Sequence, residues 1–261
     1  MEVTSDLDAR QVAAVLGDRA FRTYPAVLST EVMAMAWART GVRSGAVVVA
    51  DYQASPRGRG GLPWTVRQGR GLGFTLVLRP ELEPEREGWP YVPALLALHD
   101  VVGTQDSGLA WPDGVHTTAG AVLARVGVFV ELGPARTEWV SVTVLVEDAS
   151  PPRAPLLARL VEALERRMAA PAEQVLADYL PRCTTVGRQL RARLIPMGPG
   201  GPEVTGEAVD VLADGALVLL TARGNRVAVP PQNLGMLELP AAAVEPPEHL
   251  FGFRGPDVGP R

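Results

Sequence analysis

Apolar and polar positions follow more than one rhythm along this chain, and each rhythm predicts a different element. Near the start, "DLDARQVAAVLGDR" places Val12, Val15 and Leu16 at helical spacing. "STEVMAMAWART" repeats the pattern, with Val32, Met33, Ala36 and Trp37 as its apolar face and Ser29 placed to cap the helix. The rhythm then shortens. "AVVVADY" and "GFTLVLRP" are compact apolar runs that read as buried strands. Between them "QASPRGRGGLPW" carries too much Gly and Pro for regular structure and reads as a loop. A Glu/Pro-rich connector at 81–90 leads to an apolar helix around "YVPALLALHDVV". "GLAWPDGVHTTAGAV" suggests a tight Trp-Pro-Asp-Gly turn, a short loop and the start of a strand. "GAVLARVGVFVELG" and "EWVSVTVLVE" then alternate at period two, as an antiparallel meander would.

Beyond "SPPRAP" the helical period returns. Leu156, Leu160, Val161 and Leu164 face one way, and Arg159, Glu165 and Arg166 face the other. A short helix follows in "AEQVLADYL". From Cys183 the character changes to five short strands with turn signals at Asp214-Gly215 and Gly224-Asn225. The pattern therefore predicts an α+β domain over 1–180, in which helices accompany strands that include an antiparallel meander. A small β-barrel is expected over 183–239 and a Pro/Gly-rich flexible tail over 240–261. In that tail Leu250, Phe251 and Phe253 are suited to dock either on the protein's own surface or on a partner.

Composition narrows the class of function. The net charge of −4 comes without blocks of like charge, which argues against wrapping nucleic acid or lying on an anionic membrane. No run of about 18 apolar residues is present, and the acidic, polar start does not read as a targeting segment. A soluble, cytoplasmic protein is expected. One cysteine, Cys183, excludes an internal disulfide framework and a multi-thiolate zinc site, and His99, His116 and His249 are too scattered to suggest a metal. All 25 basic residues are Arg, and Lys is absent. A high-GC coding bias accounts for that, as does selection against amines that a reactive acyl species would modify; in either case no lysine-dependent mechanism is available.

Several segments together resemble the biotin protein ligases, which join biotin to AMP and pass it to a lysine of a biotin carboxyl carrier domain. The likeness rests on "STE" at 29–31, "ADYQASPRGRGGLPW" at 50–64, "GFTLVLRP" at 73–80, "LAWPDG" at 109–114, "AGAVL" at 119–123, and "GRQLRARL" with "VTGEAVDVLADGALVLLT" in the C-terminal part. It implies a biotin/lipoate ligase-like α+β fold, a mixed, largely antiparallel sheet flanked by helices, followed by an SH3-like barrel, with no DNA-binding repressor domain. By the same likeness Ser29, Thr30 and Gln53 would hold a biotin-like ureido ring, aided by Gly58, Arg59, Trp64 and Gly120. Arg57, Arg59, Gly60 and Gly61 would form the loop that retains an adenylate, over which Trp64 closes. For Ser29 the plain alternative is helix capping alone, and for the loop an ordinary surface loop.

The departures from the family pattern cluster on the nucleotide side. Ala110 and Thr117 stand where the family has lysines, and Asp113 and Gly114 replace an asparagine and an aspartate. Val146 replaces an asparagine at the end of a Gly-rich strand, Glu31 the asparagine of "STN", Pro56 a glycine, and Gly60, Leu62 and Pro63 basic residues. The expectation is a ligase-like protein with lost or strongly reduced adenylation that acts by binding or regulation. The alternative is an active biotin–carrier ligase in which an arginine from elsewhere replaces the missing lysine, with ATP and Mg needed only in that case. Biotin is the ligand, and a carrier domain the partner, that the likeness implies; another protein partner and a homodimer stay open. Cys183 lacks an evident base and reads as a small apolar thiol rather than a nucleophile.

Overall fold

A computed structural model describes residues 5–65, 67–197 and 200–239. The segment expected as a flexible tail, 240–261, lies outside the described residues. The larger unit is built on a seven-stranded sheet of order β1-β2-β3-β7-β6-β5-β4. Its strands are β1 (Phe21–Val27), β2 (Ala46–Gln53), β3 (Leu72–Leu78), β4 (Ser107–Ala110), β5 (Gly114–Thr117), β6 (Val122–Leu132) and β7 (Thr137–Val146). β1 runs parallel to β2 and the remaining pairs are antiparallel, which gives the mixed, largely antiparallel sheet that the likeness implied.

Helices cover both faces. α2 (Thr30–Arg39) packs on one face, where Ala34 and Ala38 meet Ala46, Val48, Val77 and Trp139. The other face carries α1 (Ala9–Leu16), α3 (Tyr91–Val102), α4 (Ala154–Ala169) and α5 (Ala172–Tyr179) over the alternate side chains Phe74, Leu76, Val140, Val142 and Val144. The small residues of α2 let it sit close to the sheet. Its buried stripe is therefore Thr30-Ala34-Ala38, and Val32, expected on the apolar face, is exposed. One charged group lies deep in this unit. Arg153, at the N-cap of α4, is 2% exposed and bonds Asp6 (2.5 and 2.8 Å), Asp51 of β2 and the Gly71 carbonyl, pinning the N-terminal segment to α4.

The C-terminal residues form β8 (Gln189–Leu194), β9 (Glu203–Val211), β10 (Leu217–Leu220), β11 (Arg226–Val229) and β12 (Leu234–Glu238). These are the five strands expected, in an antiparallel sheet of order β11-β10-β9-β8-β12 that is open along both edges. The two units are tied together around the Trp-Pro-Asp-Gly segment. The Trp111 indole N–H donates to the Gly215 carbonyl (3.0 Å), and its backbone N–H donates to the Thr185 hydroxyl (2.9 Å). Gly215 lies at φ 86 with its Cα so close to the Gly88 carbonyl that a Cβ there would stand 2.3 Å from the oxygen, so the contact requires glycine. Cys183 is buried in the continuous core beside Leu109, as a small apolar thiol would be.

Candidate functional site

Two neighbouring regions hold the residues singled out from the sequence. The first is a buried polar strip on the α2 face of the sheet. β3 and β7 pair Thr75 with Thr143, so both hydroxyls point the same way, and they lie 3.0 Å apart. Thr75 donates to the Thr30 hydroxyl (3.0 Å), and Thr30 donates to Gln53 Oε1 through both its hydroxyl (3.1 Å) and its backbone N–H (2.8 Å). The relay runs in one direction and ends on the Gln53 carbonyl oxygen, leaving the Gln53 NH2 group as its outward donor. Ser29 stands at the N-cap of α2 in extended backbone, yet its hydroxyl makes no capping bond. It is 3% exposed and, among the described residues, its Oγ has no hydrogen-bond partner. Capping alone therefore does not account for Ser29; a buried, unpaired hydroxyl carries a desolvation penalty that a bound polar ligand would relieve. Beside it, burial pushes the Glu31 carboxyl above its ordinary value, with Arg57 pulling the other way.

The Gly-rich loop lies over this strip and is more ordered than its composition suggested. Arg57 and Pro63 form an antiparallel bridge, the Gly58 N–H donates to the Leu62 carbonyl (2.8 Å), and the Trp64 N–H donates to the Pro56 carbonyl (3.0 Å). Gly60 and Gly61 take positive φ at the tip. Gly58 is sandwiched: a Cβ there would stand 2.1 Å from the Trp64 ring, and its other side rests against Gly127 of β6. Trp64 thus packs onto its own loop. Arg57 is exposed and donates only to the Gly61 carbonyl (3.2 Å).

Arg59 turns inward, away from the loop surface. Its side chain is 8% exposed; Nε donates to Asp113 Oδ2 (3.2 Å), and Nη1 donates to the Leu234 carbonyl of β12. The carboxylate at Asp113 therefore acts as the counter-ion of the arginine that was expected to hold an adenylate.

The second region is the cleft beyond Asp113, about 650 Å³, between the β4–β5 hairpin and the C-terminal sheet. Ala110 and Thr117 both line it, together with Arg59, Asp113, His116 and Gly120. The Thr117 hydroxyl accepts from the Ala121 N–H (3.1 Å) and organises the turn in which Gly120 sits at φ 85. Burial and the nearby Arg125 hold the His116 imidazole below its ordinary value, while Asp113 opposes them. Val146 packs in the main core. Among the described residues no three metal-ligating side chains come together, and no helix is long and apolar enough to cross a membrane.

The structure thus gathers Ser29, Thr30 and Gln53 in one strip, and Arg59, Ala110, Asp113 and Thr117 around one cleft. Thr75 and Thr143 were missed; the signal was a hydroxyl inside an apolar run, alone at Thr75 and two residues after Ser141 at Thr143. Arg125 and Arg188 also line the cleft. They were missed because nothing in their local sequence marks them.

No family model matches the chain. The biotin–[acetyl-CoA-carboxylase] ligase of Mycobacterium tuberculosis is 29% identical over 200 residues, covering 67% of this chain and 73% of the relative. The biotin protein ligase of Aquifex aeolicus, solved with biotin and ATP, superposes with a TM-score of 0.61 at 19% identity, over 84% of this chain and 99% of that one. The Helicobacter pylori biotin acetyl-coenzyme A carboxylase synthetase gives 0.57 at 16% identity, over 81% and 100%. A biotin protein ligase-like protein of unknown function from a Silicibacter species gives 0.55 at 16%, over 82% and 95%. In sequence the chain is thus similar to a biotin–[acetyl-CoA-carboxylase] ligase, and its fold is that of the biotin protein ligases.

Proposed function

We propose that this protein binds biotin or a closely related ureido acid in the polar strip under the Gly-rich loop, and that its adenylation activity is lost or strongly reduced. It then acts through binding, as a regulatory or structural protein in the cytoplasm, with a biotin carboxyl carrier domain as the first partner to test. The fit differs between the two regions. A ureido ring needs both donors and acceptors when buried, and the Ser29 hydroxyl and Gln53 NH2 stand ready at the end of the threonine relay. An ATP polyphosphate needs cations, and the residues at the family's lysine positions are Ala110 and Thr117.

The observation that carries this reading is the Arg59–Asp113 pair. With Asp113 against Nε and the Leu234 carbonyl on Nη1, the guanidinium already has a counter-ion and two of its three nitrogens engaged, which weakens what it can offer a phosphate. The alternative reading, an active ligase, draws on Arg125 and Arg188, whose side chains line the same cleft and could supply the missing positive charge. In either reading the five-stranded C-terminal sheet is the counterpart of an SH3-like barrel.

Calorimetry with biotin and with ATP, followed by transfer of labelled biotin to a carrier domain, separates the two readings. Biotin binding without ATP binding is expected. Transfer to a carrier lysine would overturn the proposal in favour of the active ligase. Absence of biotin binding would remove the ligand assignment, and unchanged biotin affinity in Arg59→Ala would show that the loop does not contact the ligand.

A further inference from the structure

The interdomain cleft has a chemistry of its own that the ligand strip does not explain. Ten large apolar side chains are exposed among the described residues, and four of them, Leu62, Met197, Met236 and Leu239, line this single cleft at 43 to 67% exposure. They come from three separate segments: the Gly-rich loop, the β8–β9 connection and β12 with the residue after it. Such a cluster in a concave surface marks a contact that is normally covered. Its charges are also unbalanced. Asp113 is taken by Arg59, and Glu238 is taken by Arg191 (2.8 Å) and Arg193 (3.3 Å). Arg188 makes no ion pair among the described residues, and Arg125 has only a distant one with Glu147, at 3.9 Å. The cleft is apolar with a basic flank.

The chain leaves the described structure at this place. Leu239, the last described residue, is itself part of the cleft lining. The residues that follow, "PAAAVEPPEHLFGFRGPD", place Glu245 and Glu248 just ahead of Leu250, Phe251 and Phe253. Acidic residues followed by an aromatic cluster complement a basic-flanked apolar cleft. Ten residues separate Leu239 from Leu250, and Pro240, Pro246 and Pro247 favour extended backbone, so the connector reaches about 30 Å at roughly 3.1 Å per residue. That is enough to leave the rim and return. Tethering also sets a millimolar-range effective concentration, so a weak contact suffices.

We propose that residues 245–253 seat in this cleft of the same chain, with Leu250, Phe251 and Phe253 against Leu62, Met197 and Met236 and the two glutamates toward Arg125 and Arg188. The inference does not depend on biotin being the ligand of the neighbouring strip.

The chain supplies its own reporters: of six methionines, Met197 and Met236 line the cleft, whereas Met33, Met35 and Met168 lie on α2 and α4. The full chain carrying methyl-labelled methionine and a spin label on Asp257→Cys is read by NMR, with Cys183 buried and unlabelled. The Met197 and Met236 methyl signals should lose intensity while those of Met33, Met35 and Met168 keep theirs. Adding Phe251→Asp with Phe253→Asp, or Arg125→Glu with Arg188→Glu, should restore the lost intensity. If the loss survives both pairs of substitutions it reflects tethering alone and the proposal falls. Equal loss at all five methyls also overturns it, as does loss seen only when label and methyls are on different chains.

Discussion

The buried strip lies between the seven-stranded sheet and α2, and the cleft beside it between the β4–β5 hairpin and the C-terminal sheet, yet they handle polarity in opposite ways. In the strip, four neutral groups, Thr143, Thr75, Thr30 and Gln53, pass hydrogen bonds in a fixed direction and leave donors at one end. In the cleft, Arg59 is countered by Asp113, small or neutral residues stand at Ala110 and Thr117, and the charge left over is the basic flank of Arg125 and Arg188. A neutral relay is specified by register and survives as long as the sheet does. An electrostatic site depends on individual side chains, and here a single carboxylate, Asp113, is enough to occupy the cation next to it. Recognition of an uncharged ring and stabilisation of a polyphosphate can therefore diverge separately within one fold.

The sharpest way to break this comparison is to rebuild the cleft and leave the strip alone. Ala110→Lys with Thr117→Lys should raise ATP-dependent pyrophosphate release in the presence of biotin by about 10²-fold or more, the scale expected when charge stabilisation is restored. No gain would mean that the cleft residues are not what limits the reaction. In the strip, Gln53→Ala strands both Thr30 donors and removes the outward NH2; a lost partner of this kind costs about 1–3 kcal/mol, so biotin affinity should fall by roughly 5- to 150-fold by calorimetry, while Ala110→Ser leaves it unchanged. Asp113→Asn should lower stability in chemical unfolding by about 2 kcal/mol, because it leaves Arg59 buried without its counter-ion; Asp113 keeps some contact with water, which holds the cost below that of a fully buried pair.

The smallest expected effect is on pH dependence, where the two regions should show opposite limbs. The Glu31 carboxyl is raised in the folded protein by burial, so its contribution is fully present below its ordinary value of 4.5 and is lost as pH rises through the folded value. His116 is lowered by burial and Arg125, so its contribution is present above 6.5 and is lost as pH falls through the folded value. Urea midpoints followed across pH should flatten on the first limb in Glu31→Gln and on the second in His116→Gln. The same flattening in both variants would show that the two groups are not independent.

Period and composition made most elements legible: β2, β3, β6, β7 and all five α-helices fall where the apolar pattern put them. β1 was not legible, because "FRTYPAV" is an edge strand with a proline and no clean alternation of burial. β4 and β5 are too short to show a period, so the hairpin around Trp111-Pro112 read as turn and loop. The face of α2 was misjudged because large apolar residues drew attention from the alanines that the close helix–sheet contact requires. Arg153 would be assigned to the surface by residue type, and only the approach of Asp6 and Asp51 explains its burial. In the strip, residue types sufficed to find Ser29, Thr30 and Gln53. The fate of Arg59 could not be foreseen, since it is decided by Asp113 and Leu234, far along the chain.

Trp111 bears on how the molecule can be divided. Its indole and backbone N–H groups find their acceptors on Gly215 and Thr185, so the cleft wall built by the first unit is completed by the second. A fragment ending near residue 180 would keep every residue of the neutral relay and lose the partners of that tryptophan, which would then face solvent beside an unsupported hairpin. Dissection at the linker would not yield two independent modules, and an assay on the excised larger unit would report on a site with one wall missing.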